Sequence, residues 1–166
     1  AEDARHAMDA CRQALDLAPE NPLALAVRGY ALSQVMGDQE EAQRDIERAL
    51  ELAPNEVHAW LYDSVLLGHS HQSRDAVESA LKARALSPVD PHAYFISTVL
   101  ASAYAIDRQY AKAIEVAFLS LRLDSAHPPT LRALMLSQWE SGDVEGARVT
   151  LRKLNEVAPS LSVDSY

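Results

Sequence analysis

The chain has 166 residues, room for one ordinary domain, with 48% apolar and 23% charged residues and a net charge of -9 at pH 7. This composition excludes wholesale disorder, and the acidic balance argues against broad electrostatic binding to nucleic acid or anionic lipid. No run approaches the roughly 18 unbroken apolar residues of a membrane span. With 28 alanines against 5 glycines and few β-branched runs, the sequence predicts an all-α protein. A single cysteine, Cys11, excludes an internal disulfide framework and fits a reducing, cytoplasmic setting. The start, Ala1-Glu2-Asp3-Ala4-Arg5-His6, lacks the basic-then-apolar order of a secretory signal. It opens inside a helical pattern, so the expectation is of an excised fragment.

In chain order, the first expected helix covers 2–17, with Ala7, Cys11 and Ala14 on one small-residue stripe before Pro19. Asn21 then stands as an N-cap and Pro22 at the first helical position of a helix over 22–36. Gly37-Asp38 reads as a glycine C-cap followed by an acidic N-cap, opening 39–52 with Ala42, Ile46 and Ala49 facing inward. Helices follow at 57–70 and at 73–86, the latter carrying Ala76, Ala80 and Ala83 before Pro88. Asp90-Pro91 starts a helix over 91–107, followed by 110–123 with Ala113, Ala117 and Ser120. Pro128 starts 128–140, and Gly142-Asp143 leads into 143–155 with Ala147, Leu151 and Leu154. Residues 160–166 are a tail or the start of a further helix.

These elements repeat. Leu17-Ala18-Pro19, Leu52-Ala53-Pro54, Leu86-Ser87-Pro88, Leu123-Asp124-Ser125 and Val157-Ala158-Pro159 superimpose at spacings of 35, 34, 37 and 34 residues. Each is preceded by a small-residue helix, and the first four are followed by helices opening with Leu25, Trp60, Tyr94 and Leu131. A helix pair of this length cannot bury its apolar face alone, so neighbouring pairs must stack into a right-handed superhelical solenoid with a concave face. The units are a truncated repeat (1–19), four repeats (22–54, 57–88, 91–125 and 128–159) and the tail, all in one domain.

The period, the small-residue positions and the closing prolines resemble the tetratricopeptide repeat family. Trp60, Ala76, Ala80, Ala83 and Pro88 follow its pattern without a gap. Gly29, Ala42, Ala49 and Pro54 follow it with one extra residue near Met36-Gly37, and Gly142, Ala147 and Pro159 match in the fourth repeat. The third repeat departs, with about three extra residues placed near Ala105 to Gln109 and Ser125 in place of proline. A lengthened first helix is the expectation there. Leu86 to Tyr94 and His127 to Ala133 further resemble tetratricopeptide regions C-terminal to winged-helix or nucleotide-cyclase domains in bacterial regulators. That resemblance implies a binding module serving transcription or signalling.

Chemistry finds little purchase. There is no GxGxxG or Walker pattern and no Gly-x-Ser-x-Gly elbow, so the reading is of a non-enzyme without a cofactor. Cys11 reads as a buried structural thiol. His69-Ser70-His71 with Asp75 is the one pattern that could share a metal, against the plainer account of a polar turn. Projection of each repeat's first helix puts Leu23, Ala26, Tyr30 and Ser33 on the concave wall, then His58, Leu61, Val65 and His69. The third and fourth repeats add His92, Phe95, Val99 and Ser102, and Pro129, Arg132, Leu136 and Trp139. The expected partner-binding residues are Tyr30, Leu61, Val65, His92, Phe95, Val99, Arg132 and Trp139, with Phe95 and Leu61 as apolar anchors and Arg132 for a carboxylate. The basic, Asn-bearing clamp of chaperone-tail binders is missing, because Val27, Tyr62 and Ile96 stand at the corresponding positions. Three readings follow: a scaffold holding a protein or peptide segment in the groove, a homodimerisation module acting through the groove or the open first helix, and a histidine-based metal or small-ligand sensor. Met8, Cys11 and Leu15 are expected to form an apolar strip on that open helix.

Overall fold

A computed structural model describes residues 2–89 and 92–159. Its elements are α1 (Glu2–Leu17), α2 (Pro22–Ala31) continued by a π turn (Leu32–Met36), α3 (Gln39–Leu52), α4 (Val57–His69) and α5 (Ser73–Leu86). Then come α6 (Ala93–Ile106), α7 (Tyr110–Leu123), α8 (Pro128–Ser141) and α9 (Val144–Val157). Among the described residues there is no strand, and each helix lies within two residues of its expected span.

The helix ends form where their side chains allow. Asn21 Oδ1 accepts from Ala24 N–H at 2.9 Å, Asp38 Oδ1 from Glu41 N–H at 3.0 Å, and Asp143 Oδ1 from Gly146 N–H at 3.0 Å. Gly37 and Gly142 close the preceding helices at φ 69° and 90°, a region that other residues enter only at a cost. Asp90 and Pro91 lie outside the described residues. The extra residue of the first repeat is taken up by the π turn, where Gly37 N–H bonds back to Leu32 C=O. A wider i→i+5 ring absorbs one residue without ending the helix. The third repeat corrects its expectation: α6 has 14 residues, no more than α7 or α8. Two of the additional positions instead fall between Leu86 and Ala93, where the other repeats need only the spacing from Leu52 to Val57 or from Leu123 to Pro128.

The chain forms two compact units, Ala1–Ser87 and Pro88–Tyr166. In the first, α2 packs with α3 and α4 with α5, α2 lies beside α4, and α3 backs onto α4. Leu15, Leu25, Ala26, Ala49 and Ala59 form one core cluster, and Leu32, Ala42, Ile46 and Leu66 another. The small residues let backbones approach closely. A Cβ on Gly29 would stand 2.8 Å from the Ala42 carbonyl oxygen. The apolar strip expected on α1 is absent, since Cys11 and Leu15 are buried and Met8 packs against the Leu32–Ile46 cluster. Burial also pushes the Cys11 thiol up from its ordinary value, as the reading of an inert thiol requires. In the second unit, α6 packs with α7 and α8 with α9, α6 lies beside α8, and α7 backs onto α8. Its core holds Leu100, Ala113, Ala117, Leu131 and Leu134.

Both core pairs of the first unit carry a polar contact at the same repeat position. Arg28 Nε and Nη2 donate to Asp45 Oδ2 and Oδ1 at 2.6 and 2.5 Å. Thirty-five residues on from Arg28, Asp63 Oδ2 accepts from Ser79 Oγ at 2.6 Å. Asp63 is 8% exposed. Burial pushes its carboxyl above the ordinary range, and hydrogen bonds from Ser79 and Gln43 only partly oppose this. A carboxyl whose folded pKa exceeds its unfolded pKa favours folding most below the unfolded value, and that contribution is lost as pH rises through the folded value. Asp63→Asn, which keeps an acceptor for Ser79, is therefore expected to melt higher than wild type at pH 7. The gap should close on titration toward pH 4; a lower melting temperature at pH 7 would show that the carboxylate is fully compensated.

Candidate binding surfaces

In the first unit, α2 and α4 bring Tyr30 and Tyr62 into a stack, with ring centroids 4.4 Å apart and planes 18° apart. Burial raises the pKa of both phenols. Tyr62, placed by sequence only at a position where a clamp residue was lacking, is thus part of the surface it borders. His58 is exposed on the next turn, 6.1 Å from the Tyr62 ring, with Nδ1 3.1 Å from Glu56. Val65 is half-buried. Leu61 is 2% exposed and belongs to the core. Its place on the wall is corrected, because a side chain buried among the helices around α4 cannot meet a partner.

In the second unit, Ser102, Ala105 and Ile106 of α6 face Pro129, Arg132, Ala133 and Leu136 of α8 across a hollow of about 350 Å³. Four of these seven, Ser102, Pro129, Arg132 and Leu136, are residues that helical projection placed on the wall. Ala105, Ile106 and Ala133 were missed, as they lie off the projected stripe, and only their apolar character hinted at them. Leu136 and Trp139 are 53% and 57% exposed. Arg132 is exposed and makes no ion pair among the described residues. No carboxylate lines the hollow. Phe95 is half-buried and His92 exposed, at the start of α6. Val99 is 7% exposed, so it too is a core residue rather than a wall residue.

His69 and His71 flank the turn after α4, and His71 occupies a left-handed conformation at φ 60°. Among the described residues no group of three His, Cys, Asp or Glu side chains is placed to hold a metal. No helix of the described residues is long and apolar enough to cross a membrane.

The sequence pattern of the tetratricopeptide repeat matches residues 24–56. Among solved structures, the chain is similar to PilW, a widely conserved type IV pilus biogenesis factor. The two share 24% identity over 99% of this chain and 74% of that one, with a TM-score of 0.82. The fold is that of the tetratricopeptide repeat family. TTC0263, a thermophilic tetratricopeptide protein of Thermus thermophilus, is similar at 17% identity, covering 98% and 86% of the two chains with a TM-score of 0.79. MamA from Desulfovibrio magneticus RS-1 is similar at 23% identity, covering 96% and 88% with a TM-score of 0.70. No curated protein matches the sequence significantly. The tetratricopeptide fold places α2, α4, α6 and α8 as the first helices of their repeats, which are the helices bearing the tyrosine stack and the hollow.

Proposed function

We propose that this chain is a non-catalytic interaction module that holds a protein segment against the first helices of its repeats, 22–54, 57–88, 91–125 and 128–159. The hollow between α6 and α8 carries the reading. It is a mostly apolar hollow lined by Arg132 and Leu136 among others, and it suits an apolar side chain whose neighbour is acidic. His92 and Phe95 are the further candidates of the same unit, Tyr30 and Val65 are those of the first unit, and Leu61 and Val99 lie in the cores of their own units. The tetratricopeptide relatives are consistent with such a scaffold, and the polar pairs inside the repeats are packed as structure rather than as catalytic groups. We place the module in a larger cytoplasmic regulatory or signalling protein of the bacterial kind that the Leu86–Tyr94 and His127–Ala133 strings resemble.

A random-peptide display selection tests this. Enriched peptides should combine an aliphatic or aromatic residue with a carboxylate, and should lose binding roughly tenfold or more to Leu136→Asp. One desolvated anchor contributes about 2 kcal/mol, and about 1.4 kcal/mol is tenfold. Circular dichroism of that variant should match wild type, because Leu136 is exposed. Peptides that bind wild type and Leu136→Asp alike would move the interface elsewhere, and a selection without enrichment would remove the reading.

A further inference from the structure

Where α6, α7 and α8 meet in the second unit, three hydroxyls and one imidazole close a buried polar network. Thr98 Oγ1 and Ser120 Oγ each donate to the Tyr94 carbonyl oxygen at 2.8 Å. Thr98 Oγ1 lies 2.5 Å from Thr130 Oγ1, which lies 2.8 Å from His127 Nδ1. The remaining contacts are longer: Ser120 to Thr130 at 3.0 Å, Ser120 to Thr98 at 3.1 Å and His127 Nδ1 to Thr98 at 3.2 Å. Ser120 and Thr130 have no exposure, and Thr98 has almost none. At 2.5 to 2.8 Å in a dry interior, two oxygens, or an oxygen and a ring nitrogen, hold a proton between them.

The protons can be counted. The four shortest contacts, at 2.5 to 2.8 Å, each need one. The hydroxyls of Thr98, Ser120 and Thr130 supply three, as a hydroxyl has a single O–H. The fourth must come from the ring. The order is then fixed: His127 Nδ1–H donates to Thr130, Thr130 to Thr98, Thr98 to the Tyr94 carbonyl, and Ser120 to the same carbonyl. A bare Nδ1 would leave one of the four contacts as two facing lone pairs.

The other ring nitrogen follows. Nε2 has no hydrogen-bond partner among the described residues, and it is not among the buried unpaired atoms, of which Ser64 Oγ is the one found. His127 is itself only partly buried, so Nε2 keeps some solvent exposure. Tyr94 meets the ring edge-on at 5.1 Å between centroids and, with the Nδ1 bond, fixes its orientation. The charged groups that bear on the ring are Asp124, after α7, and Arg132, on α8. We propose that His127 is a locked acceptor site: its Nδ1–H tautomer is held by Thr130 and Thr98, and a bare, solvent-accessible Nε2 is left to accept from an N–H or O–H donor of a partner. Asp124 and Arg132 act on the ring in opposite senses, Asp124 the more strongly. Partial burial lowers the ring's pKa, which keeps it unprotonated at neutral pH. A second group that fixes one imidazole nitrogen is the usual way in which the other is aimed. The site is separate from the hollow and stands if that reading fails.

Nitrogen-15 spectra of the histidines at pH 8, with diethyl pyrocarbonate labelling read by peptide mass, test both halves. Wild type should show a pyrrole-type Nδ1 and a pyridine-type Nε2 for His127, and the ring should be acylated. Thr130→Val should shift it toward the Nε2–H form, and Thr130→Ser should restore the wild-type pattern, which guards against a general loss of folding. An Nε2–H or averaged signal in wild type would overturn the proton count. An Nδ1–H signal on a ring that resists acylation would overturn the surface site.

Discussion

Arg28→Met is expected to cost about 3 kcal/mol of stability, because it strands the Asp45 carboxylate in the core. Asp45 is 8% exposed and accepts both of its short bonds from the Arg28 guanidinium, itself 31% exposed. The pairing also raises the pKa of Arg28, mainly through the hydrogen bond to Asp45, against the opposing effect of burial. Removing one partner leaves a desolvated charge with nothing to offset it. Removing both, as in Arg28→Met with Asp45→Leu, trades an ion pair for apolar contact at similar volume, which is often neutral or better. The double variant should therefore recover most of the loss, and urea unfolding of the two variants beside wild type measures it. An Arg28→Met protein as stable as wild type would show that water reaches Asp45 through the exposed third of Arg28.

Helix positions were legible because punctuation and stripe agree at nearly every boundary. Asn21-Pro22, Gly37-Asp38 and Gly142-Asp143 each do locally what the repeat period demands globally. Alanine at 42, 49, 76, 80 and 83 marked close contacts because nothing larger fits where backbones approach. The register of the first repeat was visible as one surplus residue, but not its form, since a π turn and a longer loop look alike in sequence. In the third repeat the surplus was assigned to the wrong side of α6 for the same reason. The polar pairs were invisible: Arg28 and Asp63 look like surface charges until α3 and α5 supply Asp45 and Ser79. The hydroxyl network was hidden likewise, being spread over Thr98, Ser120 and Thr130 on three helices. On α8 the projected residues Arg132, Leu136 and Trp139 are exposed, as a surface role requires. Projection misplaced Leu61 and Val99, which are buried, because it gives a direction and not the depth of cover.

Leu61→Ala should therefore act on folding and not on binding alone. Leu61 is among the largest fully buried side chains of the first unit, at 2% exposure. Truncating a buried leucine loses its transfer free energy and leaves a cavity that the surroundings fill only in part, costing about 2–5 kcal/mol. Leu136 is the same residue type on the equivalent kind of helix, yet it is 53% exposed. Leu136→Ala removes little contact and should stay within about 0.5 kcal/mol of wild type, as surface substitutions do. Thermal and urea unfolding of the two single variants, measured beside peptide binding, separates the roles. The expected pattern is a destabilised Leu61→Ala that still binds at low temperature, and a stable Leu136→Ala that binds weakly. If Leu61→Ala unfolded like wild type while losing the peptide, Leu61 would return to the wall.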